Sequence, residues 1–176
     1  MHLLRTFPFA ATLLCVACAA SIDDDYARLR HMHLSPPLDG YRAADIRDSF
    51  NENRNGKAHG AIDLPASRGT PVHAMSDGFI RKLFLSKRGG NTIYEYEPTQ
   101  TYCFYYAHLD RYEPGLKEGS QVRRGEVIGY VGSSGDASPS APHLHLEIVK
   151  LDAEKHWWLG TGINPYPLLR ELASHP

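Results

Sequence analysis

The sequence predicts an all-β fold built on an antiparallel sheet, and three observations carry that reading. Turn pairs punctuate the chain at Asp39-Gly40, Asn55-Gly56, Asp77-Gly78, Gly89-Gly90, Glu118-Gly119, Arg124-Gly125 and Ser134-Gly135. Among them lie short β-rich runs: Phe79 to Leu85, Thr92 to Tyr96, Tyr102 to Leu109, Glu126 to Val131 and His143 to Val149. Short strands at this spacing indicate antiparallel pairing. Finally, no 3.6-residue apolar period lasts beyond a turn or two, except over Tyr166 to Ala173.

The elements follow in chain order. Residues 1–20 read as an export segment, with His2 and Arg5 at its start, an apolar stretch from Phe7 to Cys18, and small residues at Ala17, Ala19 and Ala20. Two processing routes fit. Cys15-Val16-Ala17-Cys18 resembles a bacterial lipobox with Cys18 as lipid acceptor, although Cys15 stands where leucine is usual. Ala17-Cys18-Ala19 equally offers a small-x-small site for cleavage after Ala19 or Ala20. Either route places the protein outside the cytoplasm: periplasmic, held at the outer membrane through a lipid on Cys18, or secreted. Residues 21–35 form a polar tether with three successive aspartates at Asp23, Asp24 and Asp25 and a short helix from Asp24 to Met32, stopped by Pro36 and Pro37. A single domain spans residues 36–170, followed by a tail over 171–176.

Composition narrows the function classes. The 176 residues are 42% apolar and 22% charged, a soluble globular mix. The formal net charge is −1. Removing residues 1–20 takes Arg5 from the 19 basic side chains and none of the 20 acidic ones, which leaves −2. There is no basic field for nucleic acid, and no run approaches the roughly 20 apolar residues of a free-standing membrane span. Cys103 is the one cysteine outside the export segment, so the domain is not disulfide-stapled. We expect a monomer.

Three motifs bear on chemistry: His59-Gly60-Ala61-Ile62-Asp63, Tyr106-Ala107-His108-Leu109 and His143-Leu144-His145-Leu146-Glu147. Strand side chains alternate faces, so His143 and His145 share one face, and by the same parity so do His59, Ala61 and Asp63. Two imidazoles and a carboxylate make a three-ligand zinc site with the fourth position left for water. Each motif alone is weak. His31-x-His33 has the same spacing, but it lies in the charged tether without a strand pattern and reads as solvated.

Taken together and in this order, the motifs resemble the LytM/lysostaphin-type zinc endopeptidases, the peptidase M twenty-three or duplicated-hybrid-motif family. The resemblance runs from about Leu38 to Leu168. It includes Gly69-Thr70-Pro71-Val72, Asp77-Gly78, Gly89-Gly90-Asn91, Ile128-Gly129, Val131-Gly132, Ser134-Gly135, Pro142-His143-Leu144-His145 and Ile163-Asn164-Pro165. It implies an antiparallel sheet forming a groove, with a smaller barrel-like sheet. It also implies a Zn2+ held by His59, Asp63 and His145, catalytic roles for His108 and His143, and peptidoglycan stem or cross-bridge peptides as substrate. Which of the two catalytic histidines is the general base stays open. Leu146 replaces a common phenylalanine, and the Ser138-Pro139-Ser140-Ala141 loop is longer than the shortest in the family, which bears on substrate preference.

Other residues have more ordinary readings. Parity puts Tyr106 and Phe104 on the face of His108, making Tyr106 a groove-wall candidate as well as a packing one. Cys103 alternates away from His108 as a small buried residue. His73 turns from the groove. Glu147 shares the face of His145 and reads as solvated or structural, with contact to the imidazole as the alternative. Trp157 and Trp158 either cap the core or line one groove end. Two rival functions remain: a non-catalytic wall-binding regulator, and a biotinyl- or lipoyl-type carrier suggested by Glu118–Gly129. The carrier reading lacks its attachment lysine.

Overall fold

The computed structural model describes residues 22–174 apart from Asn55; residues 1–21, which include the expected export segment with Cys15 and Cys18, and the last two residues lie outside the described residues. The chain divides between His33 and Leu34. Before that point, residues 22–31 form helix α1, on a stretch free of glycine and proline. Asp24 and Arg28 pair at 2.9 Å one turn apart on its exposed face. No helix among the described residues is long and apolar enough to cross a membrane.

After it, strands dominate: β1 (Asn53–Arg54), β2 (Lys57–Ala58), β3 (Ile62–Pro65), β4 (Pro71–His73), β5 (Gly78–Ser86), β6 (Gly90–Tyr96), β7 (Tyr102–Tyr112), β8 (Gln121–Val122), β9 (Val127–Val131), β10 (His143–Leu151) and β11 (Gly160–Ile163). Helix α2 (Tyr166–Ala173) closes the chain, with Pro167 in its first turn, where a missing N–H costs nothing. β1 and β2 form a separate hairpin. The other nine strands make one antiparallel sheet running β11-β10-β7-β6-β5-β8, with β3 beside β10 and with β9 joining β7 to β4. The five strands expected from sequence are β5, β6, β7, β9 and β10. The rest are two to four residues long.

β10 shows how the sheet separates core from cleft. Leu144, Leu146 and Ile148 are fully buried, while His143, His145 and Glu147 alternate to the other face. The core side also takes Ile62, Leu64, Ile93 and Phe104, each burial contributing about 1.5–3 kcal/mol. β3 and β7 flank β10, so Asp63 and Ala107 lie directly opposite His145, and Tyr105 lies opposite Glu147. The β6–β7 turn is fastened by Glu97, whose carboxylate accepts the N–H groups of Thr99 at 2.6 Å and Tyr102 at 3.0 Å.

Tyr106 is not a groove-wall residue. It is fully buried, and its hydroxyl donates to the Glu95 carboxylate at 2.6 Å. Glu95, also fully buried, further accepts the Ser76 N–H and hydroxyl, each at 3.0 Å, and the Met75 N–H at 3.2 Å. The parity reading fails because β7 is bulged. Its register shifts against β6 and again against β9 around His108, which has a left-handed φ of +59°. The extra residue reverses the alternation, so Tyr105 and Ala107 share the cleft with His108, while Phe104 and Tyr106 face the core. Cys103 is buried as expected, but it lies on the cleft side with Tyr105.

Candidate metal centre and catalytic cleft

His59 and Asp63 do not meet through plain strand alternation. Gly60, with φ of +76°, turns the chain just before β3, and Ala61 between them is fully buried. The turn is pinned by His59 N–H donating to the Glu52 carbonyl and Gly60 N–H to that of Phe50, both at 2.8 Å. It carries the His59 ring over the end of β3 toward His145. His59 Nε2 lies 3.1 Å from His145 Nδ1 and 3.3 Å from Asp63 Oδ1, and His145 Nδ1 lies 3.0 Å from the same oxygen. These spacings approach the roughly 3.3–3.6 Å edge of a tetrahedron with 2.0–2.2 Å bonds. Two imidazole nitrogens and one carboxylate oxygen are a donor set that suits zinc. Among the described residues, His31 and His33 take no part in a cluster of metal-binding groups.

Each of the three side chains has its outward atom held by a neighbour. His59 Nδ1 faces the Ser49 carbonyl at 3.3 Å and its hydroxyl at 3.2 Å. Asp63 Oδ2 accepts from Arg54 at 2.7 Å. His145 Nε2 is 3.1 Å from Glu147 Oε1. Glu147 is therefore bonded to the imidazole and not simply solvated. The sequence reading missed Ser49 and Arg54. Arg54 sits beside the Asn55-Gly56 turn signal, but nothing in the local pattern marks Ser49. These contacts fix the tautomer and ring orientation of would-be ligands.

The electrostatics match. Burial works to lower the pKa of His145, but hydrogen bonds to Asp63 and Glu147 outweigh it and push it up to about 9. Burial also works to raise that of Asp63, yet the bonds from His145 and Arg54 hold its carboxyl well below the usual carboxylate range. Asp63 is thus held ionised beside His145, while burial lowers the pKa of His59 and favours its neutral form. A deprotonated carboxylate and a neutral imidazole are the forms that ligate a metal.

His108 and His143 stand beside this cluster. Their ring centroids are 4.9 Å apart, and His108 is 5.5 Å from His145. Two interlocked loops fix His108. Its N–H donates to the Gly89 carbonyl and its Nδ1–H to the Ser134 carbonyl, both at 2.8 Å. A Cβ on Gly90 would lie 2.1 Å from Ser134 Oγ, so only glycine lets these loops close. His143 Nδ1 donates to the Ala141 carbonyl at 2.9 Å. Both rings thus carry their proton on Nδ1 and keep Nε2 as the acceptor. Burial lowers the pKa of His108, which favours its neutral form. His73 turns away, toward Gly125 and Asp39, as expected.

A 360 Å3 cleft opens over the cluster between Arg54, Arg88, Tyr105 and His108. Trp157 and Trp158 line a second pocket adjoining it, and Trp157 also packs onto the core, so both sequence alternatives hold. A larger open depression, lined by Asp77, Phe79 and Gln121, contains none of these histidines.

Residues 57–161 match the family model described as Peptidase family M23. An L-Ala–D-Glu endopeptidase of Bacillus subtilis is 34% identical over 119 residues, covering 65% of this chain and 35% of the relative. The peptidoglycan DD-endopeptidase ShyC of Vibrio cholerae is 32% identical over 133 residues, covering 72% and 29% respectively. The chain thus spans about a third of the length of these curated relatives. Among solved structures, the catalytic domain of the antimicrobial peptidase lysostaphin from Staphylococcus simulans superposes with a TM-score of 0.58 at 30% identity. That match covers 82% of this chain and 96% of the other. Matched over most of its strand-built part and carrying the three motifs on one cleft, this chain belongs to peptidase family M23, of the LytM/lysostaphin type.

Proposed function

We propose that this protein is an exported zinc endopeptidase that hydrolyses short peptides of peptidoglycan. One observation carries the reading: His59, Asp63 and His145 converge to within 3.0–3.3 Å, with the rings of His108 and His143 beside them and His143 Nε2 3.7 Å from Asp63 Oδ1. Residues 36–170 would form the catalytic domain, 21–35 its tether and 1–20 the export segment. Cys18, if acylated, would anchor the protein to a membrane.

His59, Asp63 and His145 would hold the zinc, which supplies Lewis-acid polarisation of a scissile carbonyl and a lowered pKa for an attacking water. The chain does the rest. His108, kept neutral by burial, takes a proton at Nε2. That proton passes from His108 Nε2 to the leaving amine, while His143, its Nδ1–H tied to the Ala141 carbonyl, accepts a hydrogen bond from the attacking water at Nε2. Glu147 and Ser49 keep the ligand rings turned inward, and Arg54 keeps one Asp63 oxygen occupied so that the other faces the centre.

The relatives named for L-Ala–D-Glu and DD bonds support a peptidoglycan substrate while differing in the bond. The deciding experiment is digestion of purified muropeptides by metal-loaded protein, with products read by mass spectrometry alongside metal analysis. Cleavage of a defined peptide bond by protein carrying one zinc per chain is expected. Intact muropeptides with zinc bound would reject the reading in favour of a non-catalytic wall-binding role.

A further inference from the structure

The sheet face that carries the metal-site residues continues away from them as a row of aromatic rings. Tyr105 has its ring 6.0 Å from that of His145. Tyr94, its cross-strand partner on β6, is 4.7 Å further along. Trp157, from the β10–β11 loop, meets Tyr94 edge-on at 4.9 Å, and Trp158 follows at 5.3 Å. A pocket of 370 Å3 lies along this row and shares His59, Tyr105 and Glu147 with the catalytic cleft, so one branched ligand could fill both.

The outer end of the row is open to solvent. Trp158 is 64% exposed and Leu159 54%. Polar groups rim it: the His156 ring packs 4.7 Å from that of Trp158 and is held by Asp152 at 2.6 Å, with Glu154 beside them. The rings are tilted to one another by 48–82°, so they wall a groove whose outermost ring, Trp158, offers its face to solvent. Aromatic walls with a few hydrogen-bonding groups at the edge are the arrangement of a small-ligand site. The wall peptides themselves are made of small and charged residues, which give four rings little to pack against. A pyranose ring is different. One face presents C–H bonds whose positive ends meet the negative face of an aromatic ring, while its hydroxyl and acetamido groups lie at the edge, within reach of a polar rim.

We infer that this aromatic shelf binds the amino-sugar strand of peptidoglycan, so that the enzyme takes its peptide while it is still attached to glycan. The inference rests on the wall-peptide reading above, and its test separates the two. Zinc-loaded protein is titrated with a peptide-free, β-1,4-linked N-acetylglucosamine oligomer and followed by NMR. Saturable binding is expected, at least fivefold weaker in Trp158→Ala and largely restored in Trp158→Phe. In a parallel turnover assay, a disaccharide-bearing peptide should show a lower KM than the same peptide without sugar, and Trp158→Ala should remove that difference. Absence of oligomer binding by the wild type overturns the inference. So does a Trp158→Ala defect that falls equally on both substrates, which would make the shelf a peptide subsite. Saturable sugar binding by a protein that cleaves neither substrate would uphold the shelf and reject the peptidase reading.

Discussion

Glu95 offers a test of the packing behind the cleft. It is fully buried, and burial pushes its carboxyl from 4.5 up to about 7, although the Tyr106 hydroxyl and the Ser76 and Met75 donors pull the other way. The folded-state value lies above the unfolded one, so folding favours the protonated acid. Its contribution is complete below pH 4.5 and is lost as pH rises through 7. A shift of that size corresponds to about 3 kcal/mol at 1.36 kcal/mol per pH unit. Glu95→Gln removes the titration, and subtracting the variant from the wild type cancels every other group. Urea denaturation of both proteins, stripped of metal to suppress metal linkage, gives the difference at each pH. Between pH 4.5 and 8 the wild type should lose roughly 3 kcal/mol relative to the variant. A difference constant to within about 1 kcal/mol would refute the reasoning, and would mean that the donors keep Glu95 ionised throughout.

The remaining predictions concern the site. Glu147→Gln should weaken zinc binding about 10–100-fold in a chelator competition; unchanged affinity would mean that the 3.1 Å contact to His145 does not tune the metal. His145→Ala should lose both metal and turnover, whereas His108→Ala should keep the metal and lose turnover; equal metal loss would sink this division of roles. Gly90→Ala should cost about 1–3 kcal/mol in urea denaturation and also lower kcat, because its Cβ strikes the loop whose Ser134 carbonyl holds His108. A variant as stable and as active as the wild type would show that the loops are not interlocked.

The legible part of the fold was the part with enough residues to show a pattern. β5, β6, β7, β9 and β10 have five to eleven residues, and their limits agree with the sequence reading to within three residues. β4, β8 and β11 cannot display alternation in two to four residues. They exist because longer strands offer edges to pair with, a tertiary cause that no local window contains. The buried Glu95 is illegible for the same kind of reason. In Thr92-Ile93-Tyr94-Glu95-Tyr96 it reads as the polar member of a strand, and donors distant in sequence, the Tyr106 hydroxyl together with the Ser76 hydroxyl and the backbone of Met75 and Ser76, make its burial tolerable.

The cleft was legible in its members and not in their arrangement. The motif resemblance picked out His59, Asp63, His108, His143 and His145, and the structure brings all five together. The neighbours that hold them depend on geometry that a period-two reading cannot carry past a bulge. Had β7 run regularly through residue 108, the side chain there would point into the core with Phe104 and Tyr106. The bulge turns it into the cleft, at the cost of a left-handed backbone that histidine tolerates better than most residues. That cost is met by the Gly89 carbonyl on its N–H and the Ser134 carbonyl on its ring. Gly89-Gly90 and Ser134-Gly135, which look like ordinary turn punctuation in the sequence, are therefore parts of the site: they set where His108 stands.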